Sequence, residues 1–288
     1  MKGLFICCVL CLSAGFLCAE EVSFTYQPPA ENSIRVVDKT TDFEITMTVD
    51  DPSSGQVMTL NMGKKNTHKI QETVLGVQDG RIVKIKVEYL EAVNTDTNMG
   101  KIVTSQEPVA GKVYIITRSD EQERITDEQG LLVPVEENLI VKREYGAADD
   151  NTMTEALSNK TLTVGNRVMF MEESMKKSFQ DRFNGGIISD TTVTLKELRT
   201  QGGFKAAVFE VNLLMNMPMP SASMTAHISG EVVVVIDKAW ILELEMEGPV
   251  TISSEAPAES PEKVPPSLSG SGTMKVSTHF DFMMPAKK

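Results

Sequence analysis

Apolar and polar residues alternate along the stretch from Ser221 to Ser253, in two arms on either side of Asp237-Lys238. Side chains on a β-strand point to opposite faces in turn, so alternation gives each arm one apolar and one polar face. The pattern predicts a long antiparallel hairpin that turns at Asp237-Lys238. The apolar positions share one parity: Met224, Ala226, Ile228, Val232, Val234 and Ile236 in the first arm, and Trp240, Leu242, Leu244, Met246, Val250 and Ile252 in the second.

The same alternation recurs through most of the chain, at residues 41–50, 83–89, 207–219 and 274–282. Asp79-Gly80 before the second of these segments is a typical hairpin turn. We therefore predict a mainly β fold, in which a long, strongly curved antiparallel sheet forms a half-barrel or open barrel. One to three helices are expected to cover its apolar face.

Three segments carry helix signals, and the shortest is marked by Thr152 and Glu155, which resemble the capping box of a short helix that ends near Asn159. From Met171 to Asn184 the apolar residues recur at helical spacing, and Gly185-Gly186 follows as a stop signal. The segment 134–145 is ambiguous, because Pro134 and Glu136-Glu137 favour a helix start whereas its apolar residues also fit a strand. The apolar stripe of the segment from Met171 to Asn184 consists of Met171, Met175, Phe179 and Phe183.

The N-terminal 19 residues have the plan of a secretory signal peptide, with Lys2 followed by an apolar run that ends at Ala19. All four cysteines lie in this segment, so we expect an exported protein, periplasmic or extracellular, without disulfides. Cys18 as a lipidated N-terminus is the alternative, but Leu17 is a poor substitute for the small residue that such a site requires. No later run is long and apolar enough to span a bilayer.

Residues 20–288 are predicted to form a single β-rich domain. The stretch at about 255–271 is rich in Pro, Ser and Glu and predicts a disordered loop. The alternating segment after it returns to the same sheet, which favours an insertion over a domain boundary.

The formal net charge of -12 bears on the choice of partner. Nucleic acids and anionic membrane surfaces attract basic proteins, so we expect neither as a partner. A lipid or a lipoprotein is compatible with the composition.

No catalytic motif emerges from the sequence. The three histidines, His68, His227 and His279, are scattered at positions where the polar face of a strand is expected, and a solvated side chain is the interpretation we favour for each. The chain contains no nucleophile elbow, zinc-protease motif, phosphate loop or dinucleotide fingerprint. We therefore expect a protein that is not an enzyme and has no cofactor or bound metal.

Methionines are concentrated between residues 215 and 224, with His227 close by in sequence. Thioether and imidazole groups suit Cu(I), so a copper site is one hypothesis. The same methionines continue the apolar face of residues 209–213, and methionine also lines adaptable apolar walls. We favour the apolar wall.

Three passages carry a resemblance: VLGVQDGRIVKIKVEY, GKVYIITRSDEQERITDEQG and TLTVGNRVMFMEESMKKSF. They resemble uncharacterised exported bacterial all-β proteins, which are similar in plan to the periplasmic lipoprotein carriers and lipid-binding lipoproteins. The resemblance implies a half-barrel whose concave apolar face holds a helix, an acyl chain or both. It transfers no functional residue.

Our leading hypothesis is a protein that binds an apolar ligand, such as a lipid or a lipoprotein acyl chain, because the apolar strand faces exceed what the helices can cover. The alternative is a structural or interaction module of the cell envelope with no ligand, and Cu(I) binding is third. The expected ligand-binding residues are Phe209, Val211, Leu213, Met215, Met217, Met219, Ile228, Val232, Val234, Trp240, Leu242 and Leu244.

Overall fold

The structure is a computed structural model that describes residues 20–51, 54–119, 123–145, 156–182, 187–219, 222–254 and 267–283. Within these ranges the side chains of 177–182 and of Met219 are not described. The predicted signal peptide, Cys18, the capping-box residues Thr152 and Glu155 and the Gly185-Gly186 stop lie outside the described residues. None of the described helices is long and apolar enough to cross a membrane.

Strands dominate the described part of the chain, and two helices interrupt them. The elements in chain order are β1 (Glu21–Ser23), β2 (Ile34–Asp51), β3 (Gln56–Gln78), β4 (Arg81–Asn98), β5 (Lys101–Gln106), β6 (Val113–Arg118), β7 (Glu123–Thr126), α1 (Val135–Tyr145), β8 (Thr161–Thr163), α2 (Met169–Arg182), β9 (Ile187–Gln201), β10 (Phe204–Met219), β11 (Ala222–Val235), β12 (Ile241–Ser253) and β13 (Ser267–Met283).

Eleven strands form one antiparallel sheet in the order β7-β6-β4-β3-β2-β13-β12-β11-β10-β9, with β5 also paired to β4. The sheet is open, since its end strands β7 and β9 do not pair with each other among the residues that the structure describes. The mainly β prediction is therefore confirmed. β13 joins the two halves of the chain by pairing with β2 on one side and β12 on the other.

Both helices cover the same face of this sheet, which we call the inner face. On β2, Val37 packs in the core under α1 and Ile45 packs in the core under α2. The two residues share a parity on a strand that pairs without a register shift, so they point the same way. The inner face thus carries two adjacent cores, one beneath each helix.

The helix predicted from Met171 onward is present as α2, and Met175 is 4% exposed in its core. The ambiguous segment forms α1, because Val141 is fully buried against the sheet and Glu137 accepts hydrogen bonds from Lys112 and Tyr114, both at 2.7 Å. Sequence alternation alone could not show that the sheet beneath this segment needed a cover.

The predicted hairpin is formed by β11 and β12. A register shift near its turn, however, changes the face of the sheet on which the first side chains of the second arm lie. Val233 pairs with Glu243 and Val234 with Ile241, so Leu242 is an extra residue. The expectation that Trp240 and Leu242 share the face of Phe209 is wrong. Both pack on the outer face, where Val233 and Val235 lie, and Ile241 takes the inner position.

The final strand begins earlier than expected. β13 starts at Ser267, and Leu268 pairs with Val49 of β2. Residues 267–271 of the predicted loop are therefore strand, because serines and glycines can occupy a strand that is paired on both sides. Residues 255–266 lie outside the described part.

Three inner-face glycines allow the backbones of neighbouring strands to come close together. A Cβ atom added to Gly272 would lie 1.9 Å from the carbonyl oxygen of Glu44, and the corresponding distances are 1.9 Å for Gly248 and 1.8 Å for Gly230. Each of these distances is far shorter than any real contact of a Cβ atom. Only glycine fits where another backbone approaches this closely, so any other residue at these positions would push a neighbouring strand away.

Replacing Gly272 by Ala should destabilise the protein by at least about 2 kcal/mol, because the new methyl group must displace the backbone of β2. Gly76→Ala is the matched control, since its nearest atoms would lie 3.5 Å and 3.6 Å away, in ordinary contact. We expect the control to change stability by less than about 1 kcal/mol. The free energies of unfolding in urea would check this, and equal values for the two variants would contradict the close approach.

Candidate functional site

A pocket of about 320 Å³ lies on the inner face where the two cores meet. Its floor is formed by β2, β3, β12 and β13, and the last turn of α1 forms one wall. The apolar lining residues are Val37, Ile70, Ile241, Leu244, Met274, Val276 and Phe280, and the polar ones are Lys39, Thr41, Asn66, His68, Glu72, Arg143, Glu144, Tyr145 and Thr278.

The apolar part of the lining comes from strands that are adjacent in the sheet. Val276 pairs with Thr41 of β2, and Phe280 pairs with Val37 of the same strand. Met274 is 6% exposed and Phe280 is 8% exposed, so both are largely packed in the cores. The apolar floor therefore joins the two cores beneath the pocket.

A charged network lies on the opposite side and centres on His68, which is 3% exposed. Its Nε2 lies 3.2 Å from Glu107 Oε2, and its Nδ1 lies 3.9 Å from Glu144 Oε1. Glu144 also accepts a hydrogen bond from Lys39 of β2. These contacts attach the end of α1 to β2 and β3.

Both carboxyl groups of this network are held in the charged form. The hydrogen bond with His68 lowers the pKa of Glu107, against the opposing effect of burial. Burial would raise the pKa of Glu144, but the Lys39 ammonium group and His68 outweigh burial and hold that pKa below its usual range. The negative charges are therefore retained at neutral pH.

A second polar contact fixes the last residue of α1. The hydroxyl of Tyr145 donates a hydrogen bond of 2.9 Å to Glu72 Oε1, and Arg35 forms an ion pair with the other carboxylate oxygen. Burial raises the pKa of Tyr145 well above its usual range, so the hydroxyl remains a donor. The Arg35 guanidinium group lies 5.1 Å from the centre of the Phe280 ring, which connects this contact to the pocket floor.

Arg143 is the exposed cation of the pocket. Its side chain is 53% exposed, and its Nε lies 3.9 Å from Glu144 Oε1, beyond hydrogen-bond distance. Glu144 is the carboxylate nearest to it, and the Arg143 charge also helps to lower the pKa of Glu107. The guanidinium group is therefore accessible at the pocket wall and forms no short ion pair with Glu144.

The prediction that His68 is a solvated surface residue is wrong. His68, Ile70, Glu72 and Val74 share a parity on β3, and this parity faces inward. The parity is present in the sequence, but His68 and Glu72 interrupt its apolar residues, so alternation alone does not mark it as an inward-facing set. His227 is exposed and the side chain of His279 is 46% exposed, as expected for polar-face positions.

The expected ligand-binding residues are not brought together at the pocket. Leu244 lines it, while Trp240 and Leu242 pack on the outer face. Met217 is half-buried, and the side chain of Met219 lies outside the described part. Seven residues are at most 2% exposed in the core beneath α2: Phe209, Val211, Leu213, Met215, Ile228, Val232 and Val234. Whether any of the twelve contacts a ligand stays a prediction.

A metal site built from His, Cys, Asp or Glu side chains has no support in the described part of the chain. Among the described residues, no group of three or more His, Cys, Asp or Glu side chains could hold an ion. The copper hypothesis depends instead on methionine sulfurs, and Met215, the first of them, is 2% exposed inside a core.

The charged network should make stability depend on pH in a defined direction. The pKa values of Glu107 and Glu144 are lowered on folding, so their stabilisation is complete above the pKa of an unfolded carboxyl group, about 4.3, and is lost as the pH falls through the folded values. We expect Glu144→Gln to cost about 2 kcal/mol at pH 7 and to reduce the loss of stability between about pH 5 and 3.

Urea unfolding midpoints of the wild type and the variant at several pH values would measure both effects. Glu91→Gln is the matched control, because Glu91 is exposed on β4 and should leave the pH profile unchanged. A Glu144→Gln profile that parallels the wild type would contradict the assigned role.

No protein-family model and no curated protein matches the chain. Among solved structures, a DUF1329 family protein from Desulfovibrio piger ATCC 29098 aligns at 9% identity over 86% of this chain and 87% of that chain, with a TM-score of 0.13. DynF from the dynemicin biosynthesis pathway of Micromonospora chersina aligns at 8% identity over 90% of this chain and 85% of that chain, with a TM-score of 0.16. These TM-scores are too low to support an argument about family or function, and the resemblance to lipoprotein carriers is not confirmed.

Proposed function

We propose that this protein binds the apolar chain of a small amphipathic molecule, such as a lipid, in the pocket between the two cores. The observation that carries the proposal is the division of the pocket lining into an apolar floor and a polar wall. An amphipathic molecule has the same division, so its chain would cover the floor while its head group meets the wall.

The size of the pocket supports a small ligand. Its volume of about 320 Å³ is at the lower end of the range typical of ligand sites. The floor is apolar, so water molecules that fill the site find few hydrogen-bond partners there. A single hydrocarbon chain would therefore gain more from the floor than water does.

Binding without catalysis is part of the proposal. His68 is the buried group best suited to proton transfer, but both of its ring nitrogens face carboxylates. Among the described residues, no hydroxyl or thiol group is hydrogen-bonded to it, as a nucleophile activated by histidine would be. The network therefore suits attachment of α1 rather than a reaction.

A structural or interaction module of the cell envelope is the second candidate. It is favoured by the core beneath α2, where Phe209, Val211 and Leu213 are fully buried by the protein's own side chains. That part of the inner face needs no ligand to cover it. Export to the periplasm or the cell exterior, proposed from the N-terminal sequence, is compatible with either candidate.

Filling the pocket should weaken binding. We expect Val276→Phe to weaken binding of 1-dodecanol and of laurate by at least roughly tenfold, because the larger ring occupies the floor. Val57→Phe is the matched control, since Val57 is 64% exposed and does not line the pocket, and it should bind as the wild type does.

Isothermal titration calorimetry on delipidated protein would give the dissociation constants, and circular dichroism would confirm that both variants are folded. Trp240 is unsuitable as a reporter, because it lies on the outer face with its indole nitrogen donating to Gln27. If the wild type binds neither probe, the ligand-binding proposal fails and the interaction module replaces it.

A further inference from the structure

We infer that the pocket selects an anionic head group, a carboxylate or a phosphate monoester, and that Arg143 is the residue that binds it. This inference rests on the proposed function and adds the chemical class of the ligand. It is carried by the distribution of charge around the pocket rather than by the acidic net charge of the whole chain.

The acidic groups beside the pocket already have partners. Glu72 is paired with Arg35 and accepts a hydrogen bond from Tyr145. Glu107 meets His68 at 3.2 Å, and Glu144 is paired with Lys39. No carboxylate of the pocket therefore needs a cationic ligand to compensate its burial.

Arg143 differs from the other pocket cations in its exposure and pairing. Lys39 is 22% exposed and donates to Glu144, whereas the Arg143 side chain is 53% exposed and its Nε lies 3.9 Å from the same carboxylate. A guanidinium group presents a planar fork that binds carboxylate and phosphate oxygens in pairs. Arg143 can therefore bind an anion without breaking a short ion pair.

Uncharged polar groups of the pocket are compatible with an anion. Thr41 pairs with Asn66 across β2 and β3, and Thr278 pairs with Lys39 across β13 and β2. The two hydroxyl groups and the amide can donate hydrogen bonds. A cationic head group would instead lie beside both Lys39 and Arg143, where like charges repel.

The position of Arg143 in the fold defines how the ligand lies. Arg143 is in the last turn of α1, at the wall, while Val276 and Phe280 form the floor beneath. An anion at the wall places an attached chain against the floor. The head group is thus bound by α1 and the chain by the strands of the floor. Mutations can therefore affect the two contributions to binding separately.

The test uses four probes with the same chain, namely laurate, dodecyl phosphate, 1-dodecanol and dodecylammonium, titrated into the full mature protein. We expect the wild type to bind at least one anionic probe roughly tenfold or more tightly than 1-dodecanol, and to bind dodecylammonium most weakly. Arg143→Gln should remove the advantage of the anion, so that the anionic probe binds about as tightly as 1-dodecanol does in the same variant.

Lys142→Gln is the matched control, because it removes the same charge one position away, at an exposed residue that does not line the pocket. It should preserve the preference for the anion. Arg143→Lys should recover part of that preference, since it restores the charge but not the planar fork.

Each outcome bears on the inference. A preference for laurate or for dodecyl phosphate identifies which anion the site takes, and either supports the inference. Equal binding of 1-dodecanol and both anions by the wild type would overturn it while leaving the proposed function intact. Equal losses of anion binding in the Arg143→Gln and Lys142→Gln variants would also overturn it, because the effect would then come from net charge alone. Binding of no probe would remove the proposed function itself.

Discussion

The close approach of neighbouring backbones at Gly230, Gly248 and Gly272 is the constraint on which the rest of the structure depends. A side chain at any of these positions would overlap the carbonyl oxygen of the next strand. The three glycines lie on β11, β12 and β13, so they permit close approach between β11 and β12 and between β13 and β2. The same sheet carries two cores on its inner face, each with its own helix.

The pocket follows from this division. Val37, Ile70 and Phe280 belong to the core under α1, whereas Met274 belongs to the core under α2. Neither helix fills the space over the junction. Apolar side chains therefore face the pocket there, beside the last turn of α1. A ligand site at the meeting of two packed units is common in proteins, since both units are rigid and the space between them need not be filled.

Charged groups hold α1 at the edge of this space. Placing Glu144 and His68 in a largely buried position requires partners, and Lys39 and Glu107 supply them. Such a network stabilises little on its own, because the free energy of removing charges from water offsets the attraction between them. Its effect is to specify where the last turn of α1 lies, and hence the side of the pocket on which Arg143 is exposed.

The sequence by itself determined most of the strands, the helix α2 and which side chains of a strand share a face, because side-chain parity is a local property that alternation makes visible. Only the tertiary structure decided three further points. The extra residue at Leu242 moved Trp240 to the outer face, which depends on pairing with β11. His68 is buried because α1 and Glu107 lie over it. The pocket lies at β2 and β13 rather than along β10, because α2 and the lead-in residue Phe24 already fill the space over β10. These points depend on contacts between residues far apart in the chain, which alternation along one strand does not encode.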